Sequence, residues 1–277
     1  KEGNQFIITS RVVGYNEAPL GNDFVHFKVL RFGDEEIQKF SMKWYTAYKS
    51  SEDGSSLNIK DEQKESYAFI KDIKDTEIEH LITNPLLLTI AALIKEGGGR
   101  LPNKRVELYK LYIEAFAESW NRSRDIYNFV VELKTDGIRI DEPMVINTLS
   151  PVAFEIHSFR PGGVISRSKL EKKLTDVFCE KYDLSSGKAS TAARGFINIM
   201  IYQIGLMVEQ GTELFGLIHQ IFEEYLCARY LCSRREGERT KYIKKYLHNP
   251  RWEEPILLTL ASLEGENTEY LLKEIYE

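Results

Sequence analysis

Cysteine is scarce in this chain: three in 277 residues, Cys179, Cys227 and Cys232, without metal-ligand spacing. Three thiols cannot all pair within one chain, and Cys227 and Cys232 fall in one predicted helix as small core or surface residues. That usage suits a reducing compartment, so a cytoplasmic location is expected. Long apolar runs are missing too. The longest, Pro85 to Ile94, falls well short of the ~18 residues that a membrane helix requires. The opening residues, Lys-Glu-Gly-Asn, carry neither an initiator Met nor a signal-like apolar region, so no membrane partner is expected. Positive charge is not in excess, with 37 Lys and Arg against 42 Asp and Glu and a net charge of −5. That balance gives no electrostatic basis for wrapping nucleic acid or coating an anionic membrane. Hydrolase and phosphate-loop signatures are also lacking: there is no Gly-x-Ser-x-Gly, His-Glu-x-x-His or Gly-x-x-x-x-Gly-Lys-Ser/Thr. No catalytic residue and no metal ligand is predicted.

What remains is ordinary globular composition, 43% hydrophobic and 29% charged. The length exceeds one usual domain, so two or three packed units are expected. Residues 5–10 form a short apolar run and read as a buried strand. Residues 24–30 alternate Val25, Phe27 and Val29 against His26 and Lys28 and read as a second. Two strands alone are marginal, so these are expected to close a larger sheet. Beyond them helices dominate, predicted near 34–49, 60–72, 75–83, 85–95 and 103–124. A second block follows near 142–158, 166–182 and 188–204, then a β-hairpin over 206–217. Helices near 219–234, 239–247, 251–263 and 267–276 complete the chain and suggest the start of a helical-pair array. The fold class is therefore mainly α with a small β component.

Helices followed by a hairpin make a winged-helix pattern, which raises DNA binding. The reading helix would run from Lys188 to Gly205, but its middle, Phe196 to Tyr202, is too apolar to lie in a groove. The wing carries Glu209 and Glu213, which phosphates repel. Carboxylate pairs such as Glu35-Glu36 and Glu253-Glu254 read as solvated helix faces.

Three positions carry candidate chemistry. Arg11 follows the first predicted strand, where an arginine can fork onto a phosphate or pair at the surface with Glu17. Pro85 opens a helix, where its missing N–H costs nothing and its ring can lie against a flat base. His219 stands where the hairpin hands over to a helix. There it can meet an anion drawn by the free N–H groups, or simply cap the helix. Ile218, Ile221, Phe222, Tyr225, Leu226 and Tyr230 are spaced to face a core, with Glu223 and Glu224 left for Arg229 or solvent.

Four segments in order, Phe-Ile-Ile-Thr-Ser-Arg at 6–11, Asn-Pro-Leu-Leu-Leu-Thr at 84–89, Leu-Pro-Asn-Lys-Arg-Val-Glu-Leu-Tyr at 101–109 and Ile-His-Gln-Ile-Phe-Glu-Glu-Tyr-Leu-Cys-Ala-Arg-Tyr at 218–230, resemble the NACHT family of signal-transducing NTPases. These are relatives of the NOD-like receptors of innate immunity. The resemblance implies that Arg11 is the sensor arginine near the γ-phosphate and that Pro85 packs on adenine. It implies that His219 contacts the β-phosphate of ADP and locks the inactive state. It also implies a domain map: 1–33 the end of a nucleotide-binding α/β domain holding two strands of its sheet, 34–130 a helical domain, 131–236 a winged-helix domain, and 237–277 the start of a helical-repeat sensor. The family's Gly-rich phosphate loop and Mg²⁺-holding acidic strand end would lie before the sensor strand, and only four residues precede Gln5. The chain thus looks like the C-terminal part of the module. ATP or ADP with Mg²⁺ is expected in a full-length parent, a slow ATPase, but not bound to this chain, which is expected to be inactive alone. Expected partners are other protomers on activation and an unknown sensed ligand. Two other readings stay open, a helical protein–protein scaffold without nucleotide and a winged-helix DNA-binding regulator.

Overall fold

Caps and first-turn charges set most helix boundaries in this chain. In the computed structural model, residues 6–8, 21, 24–52, 59–76, 79, 82–123, 141–160, 162–263 and 266–276 are described. Helix α1 (Asp34–Glu52) opens on three acidic residues that suit the positive end of its dipole, and α2 (Ile59–Lys74) closes on Lys71 and Lys74. The two pack through Tyr45 against Phe69, edge to face at 5.9 Å, and through a Ser66–Ser41 hydroxyl bond of 2.8 Å. In α3 (Pro85–Glu96), the Asn84 side chain accepts the Leu87 N–H at 2.9 Å. Gly98, at φ +80°, lets the chain turn away after α3. Helix α4 (Arg105–Ser123) packs against α3.

The second block begins with α5 (Glu142–Phe159), capped by Asp141, whose side chain accepts the Met144 N–H at 3.0 Å. Pro151 sits inside α5 and cannot donate to the Asn147 carbonyl one turn earlier. Lys181 supplies the missing donor, its Nζ lying 2.7 Å from that oxygen. Lys181 comes from α6 (Arg167–Tyr182), which follows a two-residue strand, β1 (Ile165–Ser166). Helix α7 (Ser186–Asn198) runs into a π-helical turn, Ile199–Gln203, in which Ile204 N–H reaches back to Ile199 O. Strands β2 (Met207–Gly211) and β3 (Leu214–Leu217) form the hairpin, and β1 adds antiparallel to β3, giving the order β1-β3-β2. A bulge falls between Glu209 and Gly211, and Glu213 turns the chain at φ +59° with its N–H on Glu209 Oε1.

Helix α8 (Gln220–Cys232) is the hub: it packs against α5, α4, β3, α9 (Glu236–Tyr246) and α10 (Glu253–Ser262). A 3₁₀ turn, Pro250–Trp252, precedes α10, and α11 (Glu266–Tyr276) packs on α9. One apolar core runs from Ile37 in α1 to Leu258 in α10. A second joins Phe154, Cys227, Leu231, Ile243, Trp252, Ile256 and Leu271. None of the described helices is long and apolar enough to cross a membrane.

The mainly helical expectation and the hairpin hold, with helix ends shifted by one to three residues. The strand expectations do not hold among the described residues. Residues 6–8 and 25–33 are irregular, and Val25, Phe27 and Val29 are 80, 90 and 95% exposed. Alternation creates a strand only where a neighbouring strand takes its N–H and C=O groups, and no such neighbour is described. The helix expected at 75–83 is instead a set of turns where described: Thr76 bonds Ile73 O through both its N–H and its hydroxyl, ending the preceding helix. Strand β1 was not foreseen, since two residues carry no periodic signal. The boundary expected at 130 lies outside the described residues.

Gly216 on β3 sits against the loop before β1. A methyl there would lie 2.6 Å from the Gly163 carbonyl oxygen, a backbone atom that cannot swing aside. Gly216→Ala is expected to destabilise the fold by roughly 1–3 kcal/mol in denaturant titration, the usual range for overpacking. Gly237→Ala, where the added methyl meets nothing within 4 Å, is expected to be neutral or mildly stabilising.

Candidate functional site

The head of α8 gathers the sequence candidate His219 and two buried carboxylates. His219 has extended backbone (φ −151°, ψ 149°) and is the N-cap: its Nδ1 accepts the Ile221 N–H at 3.2 Å. That bond uses the Nδ1 lone pair, so the ring hydrogen of the capping tautomer belongs on Nε2. His219 and Ile218 are exposed, while Phe222 to Ala228 are buried without a break. Strand β3 delivers the chain to this point, with the Ile218 N–H on Leu206 O at 2.9 Å. At the other end of α8, the Arg239 guanidinium donates to the carbonyls of Leu231, Cys232 and Arg234, satisfying acceptors that the helix leaves open.

Burial of α8 from Phe222 onward changes the expected roles of Glu223 and Glu224. Neither is solvated. Glu223 is 5% exposed, and its Oε1 meets His157 Nδ1 at 2.8 Å and Arg251 Nη2 at 3.1 Å. His157, on α5 and 2% exposed, places its Nε2 2.9 Å from the Arg251 carbonyl oxygen and its ring edge-on to Trp252 at 4.8 Å. Arg251 also reaches the Arg160 carbonyl at 3.0 Å, past the end of α5. Trp252 in turn stacks on Tyr246, with ring centroids 3.9 Å apart. One carboxylate thus ties α5, α8 and the Pro250–Trp252 turn together.

Glu224 faces the other way. Its Oε1 accepts from Gln220 Nε2 at 2.5 Å. Burial pushes its carboxyl up to about 7, opposed by the Gln220 bond and helped by the nearby charges of Glu254 and Glu223. Arg105 on α4 holds Glu254 on α10 with both terminal nitrogens, one of them at 3.2 Å. Glu254 is therefore paired, against the solvated reading of Glu253-Glu254, and burial still raises its carboxyl. Beside Arg105, burial pushes the Tyr109 hydroxyl up to about 12. Tyr109 meets Phe222 and Tyr225 edge-on at 6.4 and 5.7 Å, and Tyr112 stacks on Phe222 at 4.6 Å. These rings fix α4 to α8.

Pro85 is exposed at the first position of α3, the placement that needs no function beyond starting a helix. Helices α3 and α8 both pack on α4, so Pro85 and His219 head two helices that share one support. Arg11 lies outside the described residues, as do residues 124–140, where a hinge was expected. Among the described residues, no group of three or more His, Cys, Asp or Glu side chains is disposed to hold a metal ion. The residues that sequence reasoning missed are His157, Arg251 and Arg105. They stand 66, 28 and 149 positions from the carboxylates they meet, and no local pattern signals such pairs.

Chemically this arrangement clamps rather than reacts. Glu223→Ala would leave His157 and Arg251 facing an empty, desolvated space and is expected to cost about 3–5 kcal/mol in equilibrium unfolding. Glu224 predicts a pH dependence. Its folded carboxyl titrates higher than an unfolded one, so the folded state binds the extra proton. Its contribution is fully present below about pH 4.5 and is lost as pH rises through about 7. Glu224→Gln is expected to flatten that part of the stability-versus-pH curve. Comparison with protein-family models, with curated proteins and with solved structures finds no match to this chain.

Proposed function

We propose that this chain is the helical and winged-helix part of an ATP/ADP-controlled signalling switch of the NACHT kind, in which the head of α8 senses the nucleotide. The observation that carries the reading is the contrast along α8. His219 is presented to solvent at the helix start, while the next turns are buried and Glu223 is held by His157 of α5 and Arg251 of the turn before α10. A contact at His219 therefore bears on a helix that α4, α5 and α10 all grip. The positive end of α8 adds attraction for a phosphate. The order α5, β1, α6, α7, β2, β3, with the sheet order β1-β3-β2, supports a winged-helix unit within 131–236.

In this proposal the closed state holds ADP between Pro85 on the adenine, Arg11 toward the phosphates and His219 on the β-phosphate. The domain map 1–33, 34–130, 131–236 and 237–277 goes with it. Binding of a ligand to the helical-repeat region breaks the His219 contact, allows nucleotide exchange and frees the protomer to join others. ADP favours the closed state only through contacts made there and not in the open one, and His219 supplies such a contact. Phosphate loop and Mg²⁺ ligands would come from a parent polypeptide, which would carry any ATPase activity, with a role in defence or regulation in the cytoplasm.

A helical scaffold that uses no nucleotide is the second reading, favoured by the exposed Phe6, Ile7, Val25, Phe27 and Val29, which suit a protein surface. DNA reading gains no support from α7, whose Ala189, Ala193, Phe196 and Ile197 are buried, or from the acidic wing at Glu209 and Glu213.

One experiment separates the first two readings. In a parent polypeptide carrying the phosphate loop, His219→Ala is expected to weaken ADP about tenfold or more, the scale of one charge-assisted hydrogen bond. It should leave an ATP analogue little changed and raise basal oligomerisation. Unchanged ADP affinity with unchanged signalling would sink the switch and leave the scaffold.

A further inference from the structure

His157 is enclosed by acceptors. Its Nδ1 lies 2.8 Å from a carboxylate oxygen of Glu223 and its Nε2 2.9 Å from the Arg251 carbonyl oxygen. A neutral imidazole has one N–H and one lone pair, so it can satisfy only one of these oxygens and must set its lone pair against the other. At 2% exposure no solvent is available to relieve that mismatch. A hydrogen on each ring nitrogen satisfies both. The alternative, a protonated Glu223 donating to Nδ1, holds the same number of protons but wastes the Arg251 guanidinium, which donates to the same Oε1 at 3.1 Å.

We propose that His157 and Glu223 hold one buried proton, in the form of a doubly protonated His157 ring, and that this proton latches the Pro250–Trp252 turn onto α5 and α8. Removing it leaves one ring N–H, which the charged Glu223 carboxylate holds more strongly than a neutral carbonyl does, so the bare Nε2 faces the Arg251 carbonyl. The carbonyl contact belongs to the turn, so the turn is the element that loosens. The latch is thus closed with the proton and weakened without it.

The other charged or titratable groups around the pair do not replace the proton. From the turn, Arg251 is already committed to Glu223 and the Arg160 carbonyl. From α8, the Cys227 thiol is held neutral because burial raises it well above its ordinary value. Glu224, also on α8, points to Gln220 and the Arg105–Glu254 pair rather than to His157. From α5 itself, Arg160 contributes its carbonyl. The Trp252 edge against the ring adds no proton acceptor.

The test follows the ring nitrogens of His157 by ¹⁵N NMR in the chain as it stands through a pH series, with amide hydrogen exchange at Trp252. The expected result is two bonded hydrogens on the ring while the turn is protected, and a tenfold or greater fall in the Trp252 protection factor where the ring loses one of them. Glu223→Gln keeps the shape but removes the carboxylate charge: at the position shared by His157 and Arg251 its amide offers either an oxygen to both or an N–H to Nδ1, and the second ring hydrogen loses its charged acceptor. That variant is expected to show a single ring hydrogen under conditions where the unmodified chain shows two. A single ring hydrogen in the unmodified chain while the Trp252 amide is protected overturns the proposal, even if the variant fails to fold. So does a Trp252 protection factor that stays constant while the ring loses its proton. Because Glu224 titrates on the opposite face of α8, only the ring signals and the Trp252 amide, not global stability, decide the outcome.

Discussion

Burying the Glu223 carboxylate removes a charge from water, and the junction around it is arranged to meet that cost. An isolated carboxylate in an apolar interior is untenable, so partners have to come from every side that packs on it. Here they come from α5 through His157 and from the turn before α10 through Arg251. The same residues then recruit others. Arg251 holds the carbonyl at the end of α5, and His157 holds the backbone of the turn. Trp252, carried by that turn, fills the second core against Phe154 and Tyr246. A single ionic centre thus determines where the C-terminal helices sit on the block that precedes them.

Adjacent glutamates on a helix point about 100° apart, which is why Glu223 and Glu224 serve different neighbours. One binds the α5 and turn side, and the other is bonded within α8 to Gln220, near the charges of Arg105 and Glu254. Between them the aromatic residues Phe222 and Tyr225 meet the tyrosines of α4. A shift of α8 along its axis would disturb the Glu223 centre and the ring contacts at once. Such a helix moves as a unit or not at all, a property that a two-state element requires.

Much of this architecture was legible because local rules decide helices. Asn84 before Pro85 and Asp141 before Glu142 mark starts by chemistry that needs no tertiary partner, and both caps form as hydrogen bonds. The Gln-Gly-Thr turn of the hairpin was readable for the same reason. The strands expected at 5–10 and 24–30 were not decided locally. The apolar run of the first and the alternation of the second suit a sheet, but pairing depends on a neighbour that sequence cannot supply. Helix α8 misled in a different way. Its apolar spacing marks one face, so Glu223 and Glu224 read as solvent-facing, yet helices surround it on nearly all sides. Glu254 was misread likewise, since its partner Arg105 lies far away in sequence. His219 as a helix cap was one of the two roles the sequence left open, and the geometry forms it; nucleotide sensing rests on resemblance.

Charged residues in a buried helix contradict its own periodic pattern, and local contradictions of this kind concentrate where a protein does something other than fold. An apolar pair of similar volume at 223 and 224 would pack α8 without desolvation cost, by the reasoning that makes buried ion pairs weak contributors to stability. Retaining carboxylates has a different consequence. Apolar packing tolerates small slides, whereas His157 and Arg251 each hold Glu223 in one geometry. The clamp is therefore specific about the position of α8 at the expense of strength. The proposed sensing role of the α8 head would draw on that trade: a helix held in one place while closed, and released by a disturbance of a few kilocalories per mole rather than by unfolding.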